Sequence, residues 1–173
     1  MDPTRLPLRD VHLPPFKAAI DAGAQSIMAS FNEIAGVPMH AHRPLIQDLL
    51  RKEWGWDGLL VSDYTGVMEL MPHGVAADRE QAGALGLRAG VDVDMVSQIY
   101  VKDLPAAVKA GRVPMAEVDA SVRRVLNAKY RLGLCDDPYR SCTPDGARER
   151  ALTLTPEHRA AARRMAQKSM VLL

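Results

Sequence analysis

Aromatic side chains make up only 5% of this 173-residue chain, and it carries two cysteines. Cys135 and Cys142 are too few for a disulfide framework and lack the four-ligand set of structural zinc, so they read as ordinary thiols. An excess of one charge is also missing. With 22 Lys and Arg against 21 Asp and Glu the net charge is +1, which leaves no global field to hold a nucleic-acid backbone or an anionic membrane surface. The basic run Arg159, Arg163, Arg164, Lys168 has no aromatics interleaved for base stacking and reads as a solvated helix face. No window reaches the roughly 20 apolar residues of a membrane span. Prolines and charges interrupt the first thirty residues where a signal peptide would need an unbroken apolar stretch, so no export signal is expected within this sequence. No Gly-x-Gly-x-x-Gly follows an apolar run and no Walker lysine motif occurs, so the usual nucleotide-binding architectures are disfavoured and no cofactor is expected.

What remains is an ordinary globular composition, 47% apolar and 25% charged, at a length that suits one domain of about 150 residues. Three short, mostly apolar runs bounded by glycine or polar residues read as strands covered on both faces: Ala24 to Ser30, Gly58 to Ser62 and Val91 to Met95. They recur about every 34 residues, and helical patterns lie between them. One helix follows Pro14-Pro15 and stops at Gly23. A second, Arg43 to Trp54, puts Leu45, Ile46, Leu49, Leu50 and Trp54 on one stripe, and a third is capped by Asp78 and runs to Gly90. Repeated βα units make a parallel sheet, because the crossover between parallel strands is right-handed. Of the two architectures this allows, a (β/α)8 barrel is favoured over an open doubly wound sheet. Further on, Leu104 to Ala110 and Pro114 to Leu132 read as helices, the second with a core-facing stripe of Met115, Val118, Val122, Val125, Leu126 and Leu132. Residues 135–155 lose periodicity and read as a linker. A last helix opens at Thr155-Pro156 and leads to the apolar Ser169 to Leu173.

In a parallel barrel the chemistry gathers at the carboxyl ends of the strands. The residues there are Phe31, Asn32 and Glu33, then Asp63 and Tyr64, then Met95 and Ser97. Asp63 follows a buried strand and precedes a loop-like segment with Gly66, Pro72 and Gly74. It is either a catalytic carboxylate or an Asx group that bonds its own loop, and position alone leaves both open. Asp92 and Asp94 alternate with apolar neighbours and read as scaffold carboxylates that need buried donors. His40 and His42 have a spacing that some metallohydrolases use. They follow Gly36 and Pro38 with no rigid element to hold them, so they read as ordinary loop histidines, with a metal-dependent hydrolase as the alternative.

The segment GWDGLLVSDY, residues 55–64, followed by HGVAADREQAGALGLRAGVDVDM, residues 73–95, resembles the nucleophile region of glycoside hydrolase family 3, especially its bacterial β-glucosidases. Residues 8–23, 30–42, 104–134 and 136–139 resemble further segments of that family in the same order. The resemblance implies a retaining β-glucosidase with a carbohydrate substrate, in which Asp63 is the nucleophile of a covalent glycosyl-enzyme. Met28, Phe31, Tyr64 and Met95 match positions that line the sugar subsite. Family members often carry tyrosine where this chain has Phe31 and tryptophan where it has Tyr64. The family's acid/base usually comes from the following domain, and nothing here matches it. The related N-acetylglucosaminidase branch is an alternative substrate class, although its histidine-containing loop is not matched.

A full barrel takes roughly 250 residues and eight strands, so three strands imply about half of one. The expected organisation is therefore a half barrel over residues 1–134, a linker over 135–155, and the first helix and strand of a second α/β sandwich domain over 156–173. An inactive fragment is the competing functional expectation, with self-association through the open strand edges. Relatives of this type are often periplasmic or secreted, and the compartment of this chain is left open.

Overall fold

Aliphatic runs punctuated by glycine and polar residues give the sheet its parallel members. In a computed structural model that describes residues 7–171, β1 (Ser26–Met28) pairs in parallel with β4 (Leu59–Val61), in the register Ser26 to Leu59, Ile27 to Leu60 and Met28 to Val61. Between them in the chain, a two-stranded antiparallel hairpin, β2 (Glu33–Ile34) and β3 (Val37–Pro38), forms a separate sheet. A tight turn, Met39–Ala41, and helix α2 (Pro44–Glu53) follow. Helix α1 (Leu13–Asp21), entered through wide turns over Leu8–His12, precedes β1. Helices α3 (Arg79–Ala89), α4 (Ile99–Lys102), α5 (Leu104–Lys109) and α6 (Met115–Arg131) complete the order up to residue 131. Strand, helix and parallel strand thus alternate as in a (β/α)8 barrel. The described residues form part of such a barrel, with no closed sheet.

The third expected strand, Val91 to Met95, is reduced to a single parallel bridge between Val61 and Val93. Side chains explain the difference, because they take ladder positions that backbone would otherwise fill. The Leu60 amide donates to the Asp92 carboxylate at 2.9 Å, and the Met95 amide to Ser62 Oγ at 2.7 Å. Backbone pairing survives around Val93, where Ser62 N donates to Val93 O at 2.8 Å and Val93 N to Leu60 O at 3.2 Å.

Packing follows the periodicity on α2, whose Ile46, Leu49 and Leu50 are buried. With Trp56, Leu60, Val67, Leu70, Val91 and Ile99, residues Ile46 and Leu50 form the main core. Helix α3 starts on Asp78, whose carboxylate accepts from Gln81 N at 2.7 Å, and ends at Gly90 with φ 111°. Its small residues permit close approach: a Cβ on Gly83 would come within 2.8 Å of Ile99 Cγ2. The stripe expected to bury α6 does not do so. Met115, Val122, Leu126 and Leu132 are exposed, and the helix instead directs Ser121 and Arg124 inwards, onto Asp92. Periodicity identified one face of the helix, but only part of it is covered: Val118 packs against Leu87, Leu104 and Val113 and their neighbours, and Val125 is half-buried.

The chain divides into two compact units, Met1–Ala128 and Lys129–Leu173. The second unit holds helices α7 (Ala147–Leu152) and α8 (Pro156–Ser169), so the 135–155 segment contains a short helix. Helix α8 begins as expected, with Thr155 Oγ1 accepting from His158 N at 3.3 Å and Pro156 in the first turn. Arg159, Arg163, Arg164 and Lys168 on it are exposed. The strand expected over Ser169 to Leu173 falls partly on Leu172 and Leu173, outside the described residues.

One buried charge ties these elements together. The Asp92 side chain is fully buried and accepts from Arg51 of α2 at 2.8 Å, Arg124 of α6 at 2.7 Å and the Leu60 amide of β4. Burial lowers the Arg51 pKa and the Asp92 charge opposes that shift. Arg51 also lies over the Trp56 ring, 4.7 Å from its centroid. Removing one partner from such a cluster strands the others without a counter-charge, at a cost of about 3–5 kcal/mol. Asp92→Ala is therefore expected to lower the urea midpoint of the chain strongly and Asp92→Asn by less, both read from tryptophan fluorescence.

Candidate functional site at the end of the second strand

Asp63 stands just beyond β4, where the sheet stops. The preceding residue, Ser62, is completely buried, and its hydroxyl does two jobs: it donates to Asp63 O at 2.9 Å and accepts from Met95 N at 2.7 Å. The Asp63 carbonyl also accepts from Gly66 N at 3.0 Å, which closes a turn directly after the strand. The Asp63 carboxylate is half-buried, and its Oδ1 accepts from the Tyr64 amide at 2.6 Å. Both readings left open by the sequence thus meet here, since the carboxylate bonds its own loop and stays partly accessible.

The carboxylates around it are engaged in structure. Asp92 holds two arginines. Asp94 accepts from Ile99 N at 2.8 Å and Tyr100 N at 3.2 Å and pairs with the Ser97 hydroxyl. Glu69 accepts from the Thr65 hydroxyl at 2.8 Å, and Glu33 lies 2.5 Å from His73 Nδ1. The scaffold role expected for Asp92 and Asp94 agrees with these contacts. The loops after β4 and Val93 are tied by Thr65 N donating to Met95 O at 3.1 Å. Thr65, at φ 56°, and Val96, at φ 69°, lie in the left-handed region, which costs non-glycine residues about 1–3 kcal/mol each.

The remaining expected subsite residues fall around this point in different ways. Met28 ends β1 and is 54% exposed, beside Phe16, Ile27 and Leu60 in an apolar pocket whose lining does not include Asp63. Tyr64 is 59% exposed. Met95 is half-buried, and its backbone is bonded to both Ser62 and Thr65. Phe31 is exposed at its ring, which lies 5.9 Å from the ring of His40.

His40 and His42 are not ordinary loop histidines, because both are buried. His40 lies on the tight turn after β3 and its Nε2 accepts the Asp63 amide proton at 3.0 Å, while His42 Nδ1 accepts from Leu45 N at 3.3 Å. One nitrogen of each ring is thus committed to a backbone donor, and no group of three or more His, Cys, Asp or Glu suited to a metal occurs among the described residues. The contact between His40 and Asp63 was missed from sequence. Its only local trace is a histidine set among apolar residues, Val37-Pro38-Met39 before it and Ala41 after.

A partial parallel barrel with an accessible aspartate at a strand's carboxyl end has that residue where barrel enzymes gather their catalytic groups. Residues 1–128 match the glycosyl hydrolase family 3 N-terminal domain, and the chain belongs to that family. It is 43% identical over 168 residues to the periplasmic beta-glucosidase of Salmonella typhimurium, covering 94% of this chain and 21% of that protein. It is 38% identical over 176 residues to a beta-xylosidase of Formosa agariphila, covering 96% of this chain and 24% of the relative. The beta-glucosidase of Listeria innocua superposes with a TM-score of 0.88 at 36% identity, over 100% of this chain and 24% of its own. The chain thus spans between a fifth and a quarter of the length of these relatives. Structures of the Listeria enzyme with laminaribiose and with glucose are among those it matches.

Ser62 is the buried link between Asp63 and the Met95 loop. Ser62→Ala leaves the Met95 amide without that acceptor, which costs about 1–3 kcal/mol. The expected result is a lower urea midpoint together with faster hydrogen exchange at Met95 N.

Proposed function

We propose that this chain carries the nucleophile of a retaining β-glycosidase that removes terminal non-reducing β-D-glucosyl residues. The observation that carries the proposal is the position of Asp63: a half-buried carboxylate at the carboxyl end of a parallel strand, in a chain of a glycosidase family, beside carboxylates that structural contacts occupy. One Asp63 oxygen attacks the anomeric carbon as the glycosidic C–O bond breaks, and a second carboxyl group about 5 Å away protonates the departing oxygen. That group, now a carboxylate, then takes a proton from water. The resulting nucleophile opens the glycosyl ester and frees Asp63 as a carboxylate. No carboxylate of this chain is assigned as that acid/base. Met28, Phe31, Tyr64 and Met95 supply apolar and aromatic surface for a sugar ring.

The expected organisation is kept with this proposal: half-barrel residues up to 134, a connecting segment, and the start of a second domain from residue 156. Glucose is favoured over xylose because the relative at 43% identity and the structural neighbour at a TM-score of 0.88 are both named beta-glucosidases. The chain alone lacks the acid/base and much of the barrel, so it is expected not to turn over an aryl β-glucoside. In a polypeptide that joins this segment to the remaining barrel strands and the next domain, turnover is expected. Asp63→Asn should reduce it by about 10³-fold or more, equivalent to about 4 kcal/mol of barrier. A 2-fluoroglucoside trap should leave its adduct on Asp63 by mass spectrometry. An adduct on another residue, or full turnover by Asp63→Asn, would refute the assignment, and preference for an aryl β-xyloside would correct the sugar.

A further inference from the structure

Asp63 is held by a side chain far away in sequence. Along β4 the donors alternate between neighbours, and Ser62 N goes to Val93 O on one side. On the other side Val61 O accepts from Ala29 N at 2.8 Å, just past the end of β1. The next donor, the Asp63 amide, has passed the end of its sheet and is met by His40 Nε2 at 3.0 Å. We infer that His40 is a positioning residue for Asp63: as the neutral tautomer with its proton on Nδ1, it accepts the Asp63 amide and fixes the main chain from which the carboxylate projects. This rests on the reading of Asp63 as nucleophile.

Three observations build the site. His40 is 1% exposed, so water does not compete for Nε2. Its ring fits against Gly66, where any Cβ would lie 2.2 Å from Nε2 and 2.3 Å from Cε1. Phe31 contributes a tilted aromatic neighbour, its ring centroid 5.9 Å away. An imidazole whose Nε2 accepts must carry its proton on Nδ1, and the imidazolium would turn a donor towards the Asp63 N–H. Desolvation holds the His40 pKa below its usual value, and the nearby His73 adds to this. Asp63, Glu69 and Asp94 pull the other way.

Because the folded pKa lies below the unfolded one, the unfolded chain takes up a proton first as pH falls, and stability drops from about pH 6.5 down to the folded pKa. Below that both states are protonated and the loss is complete.

The test uses the 173-residue chain labelled with ¹⁵N. Long-range ¹H–¹⁵N spectra of the His40 ring at pH 7.5 should show Nε2 unprotonated and Nδ1 carrying hydrogen, and the Asp63 amide shift should move with the His40 titration below pH 6.5. His40→Leu, which removes the acceptor, should speed Asp63 amide exchange by about tenfold. His40→Gln, which keeps an acceptor but does not titrate, should restore slow exchange and abolish the pH-dependent shift. A protonated Nε2 in the unsubstituted chain would overturn the inference even if His40→Leu fails to fold. Unchanged Asp63 exchange in a folded His40→Leu would do the same. None of these readouts depends on turnover, so their failure leaves the nucleophile proposal standing. An active Asp63→Asn protein would remove the purpose of the contact without removing the contact.

Discussion

A carboxylate buried between two arginines holds the sheet to its helices. Asp92 sits on the third parallel segment, Arg51 comes from the helix before β4, Arg124 comes from α6, and the Leu60 amide comes from β4 itself. Buried ions are costly unless all of them are paired at once, so this cluster makes the correct arrangement of four elements a condition for satisfying any one of them. It also explains why a helix with a largely exposed apolar stripe docks where it does. Ser121 and Arg124 form hydrogen bonds that α6 can make at one place on the sheet.

The same substitution of side chain for backbone recurs at the candidate site. Beyond β4 and the Val93 bridge, His40 and Ser62 take over backbone donors that longer strands would have paired. The strand tops are therefore loops whose geometry is set by buried polar groups. Such an arrangement suits a site that must hold a carboxylate in place while leaving it accessible, since His40, Ser62 and Gly66 hold the Asp63 main chain and the Tyr64 amide bonds one carboxylate oxygen.

Much of the architecture was legible in the sequence. Local patterns of apolar residues, glycine stops and the Asp78 cap identified β1, β4, α2 and α3, because each of those signals acts within one turn or one strand. The position of Asp63 at a strand end followed from the same punctuation. The third strand was not legible in full, since its pairing is limited by Asp92 and Ser62, whose partners are remote in sequence. The periodicity of α6 showed which residues share a face but not whether anything covers it. His40 was read as a loop histidine because its burial depends on Gly66 and Asp63, which come next to it only after folding.

The fit between the His40 ring and Gly66 ties two remote positions into one unit of inheritance. A side chain at position 66 is admissible only with something smaller at position 40, so position 66 does not drift freely while the histidine stays. Sequences of this kind that carry a side chain at position 66 should have lost the histidine at position 40, whereas a smaller residue at position 40 leaves the glycine able to stay.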